Sequence, residues 1–91
     1  MQVVWTKSAA QSFSKIESIH FSPQETAEYK LKLFMRIEEK VIRSGKLFPS
    51  RTYKDTYYIR IDRYIVSYEP SEDGSTYIIT AFKHGRQASK F

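Results

Sequence analysis

The sequence offers a small set of side chains suited to acid–base or phosphate-directed chemistry: Arg60, His84 and Arg86. An imidazole has an ordinary pKa of about 6.5, so His84 is the candidate general acid or base. The guanidinium groups of Arg60 and Arg86 stay protonated, and they therefore suit the stabilisation of a charged phosphate rather than proton abstraction. The alternatives are structural: His84 caps or packs a strand end, and Arg86 is a solvated charge.

Basic side chains are concentrated in one part of the chain. The formal net charge is +5, and residues 43–63 carry six bases against two acids. Such an excess favours anionic partners, either nucleic acid or an acidic protein segment. The candidate nucleic-acid or target contacts are four bases of this stretch, one base of the carboxy-terminal region and the terminal aromatic residue: Lys46, Arg51, Lys54, Arg63, Lys83 and Phe91. A solvated charged loop is the alternative interpretation of these residues.

Composition excludes several classes of protein. The chain has no cysteine and two histidines, which excludes disulfides and thiolate zinc sites, and we expect no metal and no cofactor. The amino terminus lacks the apolar core of a signal peptide, and no apolar run approaches the roughly 20 residues of a membrane-spanning helix. We therefore expect a soluble, cytoplasmic protein with no membrane partner, and a length of 91 residues predicts a single domain over 1–91.

The first half of the chain is predicted to hold one strand and two helices. Gln2–Trp5 is short and β-branched at its centre, and Thr6 is a suitable cap for a helix over Lys7–His20. The predicted apolar stripe of that first helix recurs at threefold spacing: Ala10, Phe13, Ile16 and Ile19.

A second helix is predicted over Pro23–Ser44. Ser22 followed by Pro23 and Glu25 is typical of a capping box, and Gly45 supplies the usual stop. Its predicted buried face consists of five apolar side chains: Ala27, Leu31, Phe34, Ile37 and Val41. The two helices should form a hairpin.

The second half changes to a period of two, which is typical of strands. Strands are predicted from Tyr57, over Tyr64–Glu69 and over Thr76–Lys83, with Asp62-Arg63 as a tight turn. The predicted fold is α+β with the order β-α-α-β-β-β, a helical hairpin packed on one face of a small, mainly antiparallel sheet. The other face of the sheet stays open for function, and by alternation Arg60 shares it with Tyr58.

The order of these elements and a set of short motifs resemble the toxins of the RelE/ParE superfamily. The resemblance covers nearly the whole chain. The motifs that carry it are, in chain order, Val4-Trp5-Thr6, Phe48-Pro49, Tyr58-Ile59-Arg60-Ile61, Tyr64-Ile65-Val66-Ser67-Tyr68 and His84-Gly85-Arg86.

This resemblance implies a bacterial toxin neutralised by a cognate antitoxin protein, whose carboxy-terminal segment wraps the helices and the sheet. Toxins of the RelE type cleave messenger RNA in the ribosomal A site without metal, whereas those of the ParE type inhibit DNA gyrase. The partners implied are the antitoxin and either the ribosome with its message or gyrase.

Departures from the nuclease pattern favour the ParE type. RelE-type enzymes carry arginines and a tyrosine where this chain has Ile65, Gly85 and Phe91. Arg86, one residue beyond the second arginine position, could substitute after a small shift of the loop. Two alternatives stay open: a RelE-like, metal-independent endoribonuclease, and an inactive family member that only binds an antitoxin.

Overall fold

The computed structural model describes residues 1–16 and 22–85. The elements follow the predicted order. They are strand β1 (Gln2–Trp5), helices α1 (Lys7–Ser14) and α2 (Pro23–Ser44), and strands β2 (Tyr57–Ile61), β3 (Tyr64–Pro70) and β4 (Thr76–His84). In the described part of the chain, no helix is long and apolar enough to cross a membrane.

The strands form one sheet in the order β1-β4-β3-β2. Strands β2, β3 and β4 make an antiparallel meander, and β1 adds to β4 in parallel. The predicted turn between β2 and β3 is confirmed, with Ile61 paired to Tyr64 across Asp62-Arg63. Asp62 adopts a φ of 52°, a left-handed conformation that Asp tolerates better than most side chains, so this turn forms without glycine.

Helix α1 is shorter than predicted. The Thr6 side chain caps it by accepting a hydrogen bond from the Ala9 amide at 3.2 Å. The helix ends at Ser14 because the next amides, of Lys15 and Ile16, bond to the carbonyls three residues back instead of four. Ala9 is buried instead of the predicted Ala10, while Ile16 is buried as expected. Ile19 lies outside the described residues.

Helix α2 begins and ends as predicted. Both halves of the capping box are present, since the Glu25 amide donates to Ser22 Oγ and the Ser22 amide donates to Glu25 Oε1, each at 3.2 Å. Gly45 ends the helix at a φ of 53°, and a Cβ at that position would lie 3.2 Å from the Tyr77 hydroxyl. The backbone conformation and the close approach of Tyr77 both favour glycine here.

The predicted buried face of α2 is partly wrong. Ile37 and Val41 are buried and Phe34 is half-buried, but Ala27 is exposed and Leu31 is 63% exposed. Leu33 is buried instead. Residues two apart on a helix point about 200° away from each other, so Leu31 and Leu33 cannot share a face. The helix carries two apolar stripes, and periodicity alone does not indicate which one meets the sheet.

The core lies between the helices and one face of the sheet. Leu33, Ile37 and Val41 pack there with the inward side chains of β2, β3 and β4, among which Tyr68 is fully buried. Aromatic rings join the layers near β1, where Trp5 stacks on Phe34 at a centroid distance of 5.3 Å. The Trp5 indole donates to Glu38 Oε2 at 3.0 Å, which ties β1 to α2.

Candidate functional site

The face of the sheet turned away from the helices carries the candidate site. Ile59, Val66 and Phe82 point into the core, so their strand neighbours point to the opposite, outer face. Arg60 on β2 is aligned with Ile65 on β3, and Ile65 is aligned with Lys83 on β4. Arg60 and Lys83 therefore share the outer face, with their Cα atoms two strand spacings or about 10 Å apart.

A bulge in β4 helps to determine this alignment. Ser67 pairs with Ala81 and Tyr68 pairs with Ile79, so Thr80 is an extra residue. The Thr80 hydroxyl lies 3.0 Å from the Ser67 hydroxyl and donates to the Ser67 carbonyl at 3.3 Å. The inserted residue reverses the alternation of β4 beyond it.

The reversal decides which faces the last residues of β4 occupy. Ile79 and Phe82 both belong to the core although they are an odd number of residues apart. Lys83 consequently points to the outer face. His84 is aligned with Tyr64 and lies on the helix side, where the two rings meet edge to face at a centroid distance of 5.8 Å.

An open groove of about 440 Å³ runs along the outer face beside the loop that joins α2 to β2. It brings together two of the predicted target contacts, Lys54 and Lys83, and surrounds them with hydroxyl groups and one carboxylate. The groove, called the outer groove below, is lined by Tyr53, Lys54, Thr56, Ser67, Glu69, Thr80, Ala81 and Lys83. Two cations beside several hydroxyl groups suit an anionic partner.

The structure separates two of the three candidate catalytic residues, Arg60 and His84. Arg60 is exposed on the outer face, whereas His84 lies on the helix side. There His84 lines a second cleft of about 510 Å³ with Ser12, Lys15, Ile16, Tyr64, Phe82 and Lys83. Arg86 lies outside the described residues, as does Phe91. Arg60 and His84 thus cannot approach one reacting phosphate from the same face.

The remaining predicted contacts occupy the loop and the turn. Lys46 and Arg51 are exposed in the loop but do not line the outer groove. Arg63 is exposed in the β2–β3 turn, and its carbonyl accepts a hydrogen bond from the Gly85 amide at 2.8 Å. The loop cations therefore lie before the start of β2 and Arg63 lies beyond its end, so the turn cation is separated from those of the loop.

Asp62 anchors the β2–β3 turn to α2. Its carboxylate accepts two hydrogen bonds from the Arg36 guanidinium at 3.2 Å each and one from the Tyr29 hydroxyl at 2.9 Å. Partial burial opposes ionisation, but the hydrogen bonds from Tyr29 and Arg36 outweigh it and lower the pKa of Asp62. Burial, together with the hydrogen bond to Asp62, raises the pKa of Tyr29 to about 12. This carboxylate acts as a structural anchor.

Several residues that line the outer groove were not predicted from the sequence. Ser67, Glu69 and Thr80 enter it through the strand register and the bulge, which the sequence does not reveal. Tyr53 could have been predicted as a further contact, since it lies between the predicted contacts Arg51 and Lys54 in the sequence. In residues 1–16 and 22–85, no cluster of three His, Asp or Glu side chains is arranged to hold a metal ion.

Comparison with known proteins identifies the class and then the family. The arrangement of two helices and a four-stranded mixed sheet is the α+β fold of the RelE toxins. The family model described as the ParE toxin of the type II toxin–antitoxin system, parDE, matches residues 3–89. The chain therefore belongs to the ParE toxin family, within the RelE/ParE toxins of type II toxin–antitoxin systems.

Solved structures share the fold at low sequence identity. The intact E. coli RelBE toxin–antitoxin complex matches with a TM-score of 0.63 at 14% identity, over 91% of this chain and 94% of the other. The isolated E. coli RelE toxin matches with a TM-score of 0.65 at 13% identity, over 97% and 87%. The RelBE2 complex from Mycobacterium tuberculosis gives 0.60 at 22% identity, over 91% and 95%. No curated protein sequence matches the chain.

Proposed function

We propose that this toxin arrests growth in the cytoplasm by binding DNA gyrase, and that a cognate antitoxin protein neutralises it. The observation that carries the proposal is the separation of Arg60 from His84 by the sheet. Metal-free cleavage of RNA needs a proton acceptor, a proton donor and a cation around one phosphate. An inhibitor that only binds its target does not need these three groups around one phosphate.

The composition of the outer face supports the same proposal. Ile65 lies between Arg60 and Lys83 in the aligned row, and the residue is only 3% exposed. An aliphatic side chain can neither transfer a proton nor stabilise a phosphate. The Cα atoms of the catalytic candidate Arg60 and of the predicted target contact Lys83 are thus about 10 Å apart, with an inert residue between them.

The antitoxin partner is supported by the second apolar stripe of α2. Leu31, Met35 and Ile42 are exposed large apolar side chains on one side of this helix. An exposed apolar stripe on a helix is typical of a surface that binds an amphipathic segment of another protein. We propose that an antitoxin segment covers this stripe and thereby neutralises the toxin.

A second candidate function is RNA cleavage on the ribosome, favoured by the outer groove. Lys54 and Lys83 line that groove, and Arg60 lies on the same face. Lysine and arginine side chains in a groove can bind the phosphates of a nucleic acid. Under this alternative, the Arg60→Ala variant should lose toxicity because the cation contacts the scissile phosphate.

Pulse labelling after induction tests the proposal. The chain is induced without an antitoxin, and incorporation of labelled thymidine and of a labelled amino acid is followed over the first minutes. The gyrase proposal expects DNA synthesis to fail first while ribosomes still work. Early loss of translation with cuts in ribosome-bound message would instead establish the nuclease candidate, and normal growth would identify an inactive, antitoxin-binding protein.

Matched variants sharpen the test. Arg60→Ala combined with His84→Ala should retain the growth arrest under the gyrase proposal, because neither side chain has a catalytic role there. The matched control is Lys32→Ala, which removes an exposed cation of α2. A double variant that is harmless although correctly folded would refute the binding mode.

A further inference from the structure

The loop that follows α2 exposes an unusual amount of apolar surface. Leu47 is 69% exposed, Phe48 is 48% exposed and Tyr53 is 56% exposed. Exposed basic residues flank these three in the sequence. The surface formed by Lys46, Leu47, Phe48, Arg51, Tyr53 and Lys54 is called the 46–54 surface below. Exposed apolar residues with a polar rim are typical of interaction sites.

Hydrogen bonds hold the backbone beneath this surface. The Ser50 amide donates to the Thr56 carbonyl at 2.7 Å, and the Tyr58 amide donates to the Phe48 carbonyl at 3.0 Å. Ser50 Oγ also accepts from the amides of Thr52 and Tyr53, each at 3.2 Å. A segment already fixed in this way loses little conformational entropy when it binds a partner.

The charge of the surface indicates the chemistry of that partner. Lys46, Arg51 and Lys54 bring three positive charges, and residues 46–54 contain no acidic side chain. We propose that the 46–54 surface docks on an acidic protein surface with an apolar centre, and that this surface belongs to the toxin's target. The inference rests on the proposed function, since it names the part of the toxin that contacts gyrase.

Two features indicate that the partner of the 46–54 surface is a protein rather than a single-stranded nucleic acid. Leu47 is more exposed than Phe48 or Tyr53, and an aliphatic side chain cannot stack on a base. The rings of Phe48 and Tyr58 are inclined at 49° with centroids 6.5 Å apart, so they do not form one flat stacking platform. Aliphatic and aromatic anchors within a basic rim instead match an acidic protein interface.

The position of the surface separates it from the proposed antitoxin site. Glu38, next to the exposed stripe of α2, bonds to Trp5 of β1, whereas Lys40 bonds to the Arg60 carbonyl of β2. The exposed stripe therefore lies toward the β1 edge of the sheet. The 46–54 surface borders β2, at the other edge, because Pro49 forms a bridge with Tyr57.

Inhibition of purified bacterial DNA gyrase by matched variants tests the inference. Leu47→Ser and Lys54→Glu alter the surface, and the control variants Val4→Ser and Lys32→Glu alter an exposed aliphatic residue of β1 and an exposed cation of α2. Supercoiling inhibition and direct binding to the gyrase tetramer are measured for each. We expect the first pair to weaken both at least about tenfold, as for central anchors of an interface, and the second pair to stay within about twofold of wild type.

The outcomes separate this inference from the proposed function. A wild-type chain that neither binds nor inhibits gyrase refutes the proposed function and the docking inference together. Wild-type inhibition that Leu47→Ser leaves unchanged, or that Val4→Ser weakens equally, refutes the docking inference alone. A fluorescent 15-nucleotide RNA provides the third arm: RNA binding lost in Lys54→Glu while gyrase inhibition persists would assign the surface to nucleic acid and overturn the inference.

Discussion

The hydroxyl of Tyr68 donates a hydrogen bond of 2.5 Å to the carbonyl of Gly45. This contact joins a fully buried residue of the sheet to the residue that ends α2 and begins the loop carrying the 46–54 surface. Burial, reinforced by the neighbouring Tyr77 and Tyr57, raises the pKa of Tyr68 to about 12, so the hydroxyl stays a donor at physiological pH. The sheet thus positions the start of the loop.

Removal of that hydroxyl should destabilise the fold. In Tyr68→Phe the ring volume is kept, but the partly buried Gly45 carbonyl loses its partner, which costs about 1 kcal/mol. Urea unfolding followed by circular dichroism measures the change. Tyr53→Phe is the matched control, because Tyr53 is largely exposed. Equal stability of wild type and Tyr68→Phe would show that the contact is not energetically important.

The anchor between Asp62 and α2 gives a second prediction. Asp62→Asn removes the ion pair with Arg36, and we expect a loss of about 1 kcal/mol, since both partners are partly exposed. Asp55→Asn is the matched control: Asp55 has a φ of 57° and Asp62 a φ of 52°, and Asn accepts both conformations. A similar loss in both variants would attribute the effect to the backbone rather than to the ion pair.

The contribution of Asp62 should depend on pH with a definite sign. Hydrogen bonds lower the pKa of Asp62 in the folded protein below the unfolded value of about 3.9, despite the opposing effect of burial. Its stabilisation is therefore complete well above that unfolded value and is lost as the pH falls through the folded pKa. Urea unfolding at pH 7, 4 and 2 measures the difference in the free energy of unfolding between wild type and Asp62→Asn, and this difference should shrink as the pH falls. A stability gap that widens toward pH 2 would contradict it.

Two leucines on one helix test which face of α2 is buried. Leu33 is fully buried and Leu31 is mostly exposed. Leu33→Ala should cost about 2–5 kcal/mol through lost apolar contacts and the cavity left behind. Leu31→Ala should change the free energy of unfolding by less than about 0.5 kcal/mol. The reverse order in chemical denaturation would mean that the exposed stripe is the one that packs on the sheet.

Local signals in the sequence predicted most of the fold. Ser22, Pro23 and Glu25 define the start of α2 and Gly45 its end, because caps are local interactions. Strand alternation likewise predicted that Arg60 is exposed on the outer face. These features depend on residues close together in the chain.

Features that depend on contacts between residues far apart in the chain could not be predicted from local sequence patterns. The extra residue Thr80 is recognised only from its pairing with β3, yet it sends His84 to the helix side. The buried stripe of α2 is selected by the sheet, so Leu31 and Leu33 look equivalent in the sequence. The outer groove depends on how the loop near Tyr53 lies against β3 and β4, a contact between segments separated in the chain.

The most direct test of the central claim compares two reactions with one purified protein. Wild type and the double variant Arg60→Ala, His84→Ala are added in parallel to a gyrase supercoiling reaction and to ribosomes stalled on a defined message. We expect both proteins to inhibit supercoiling and the message to stay intact. Cleavage of the message in the ribosomal A site by wild type but not by the double variant, with gyrase unaffected, would contradict that claim.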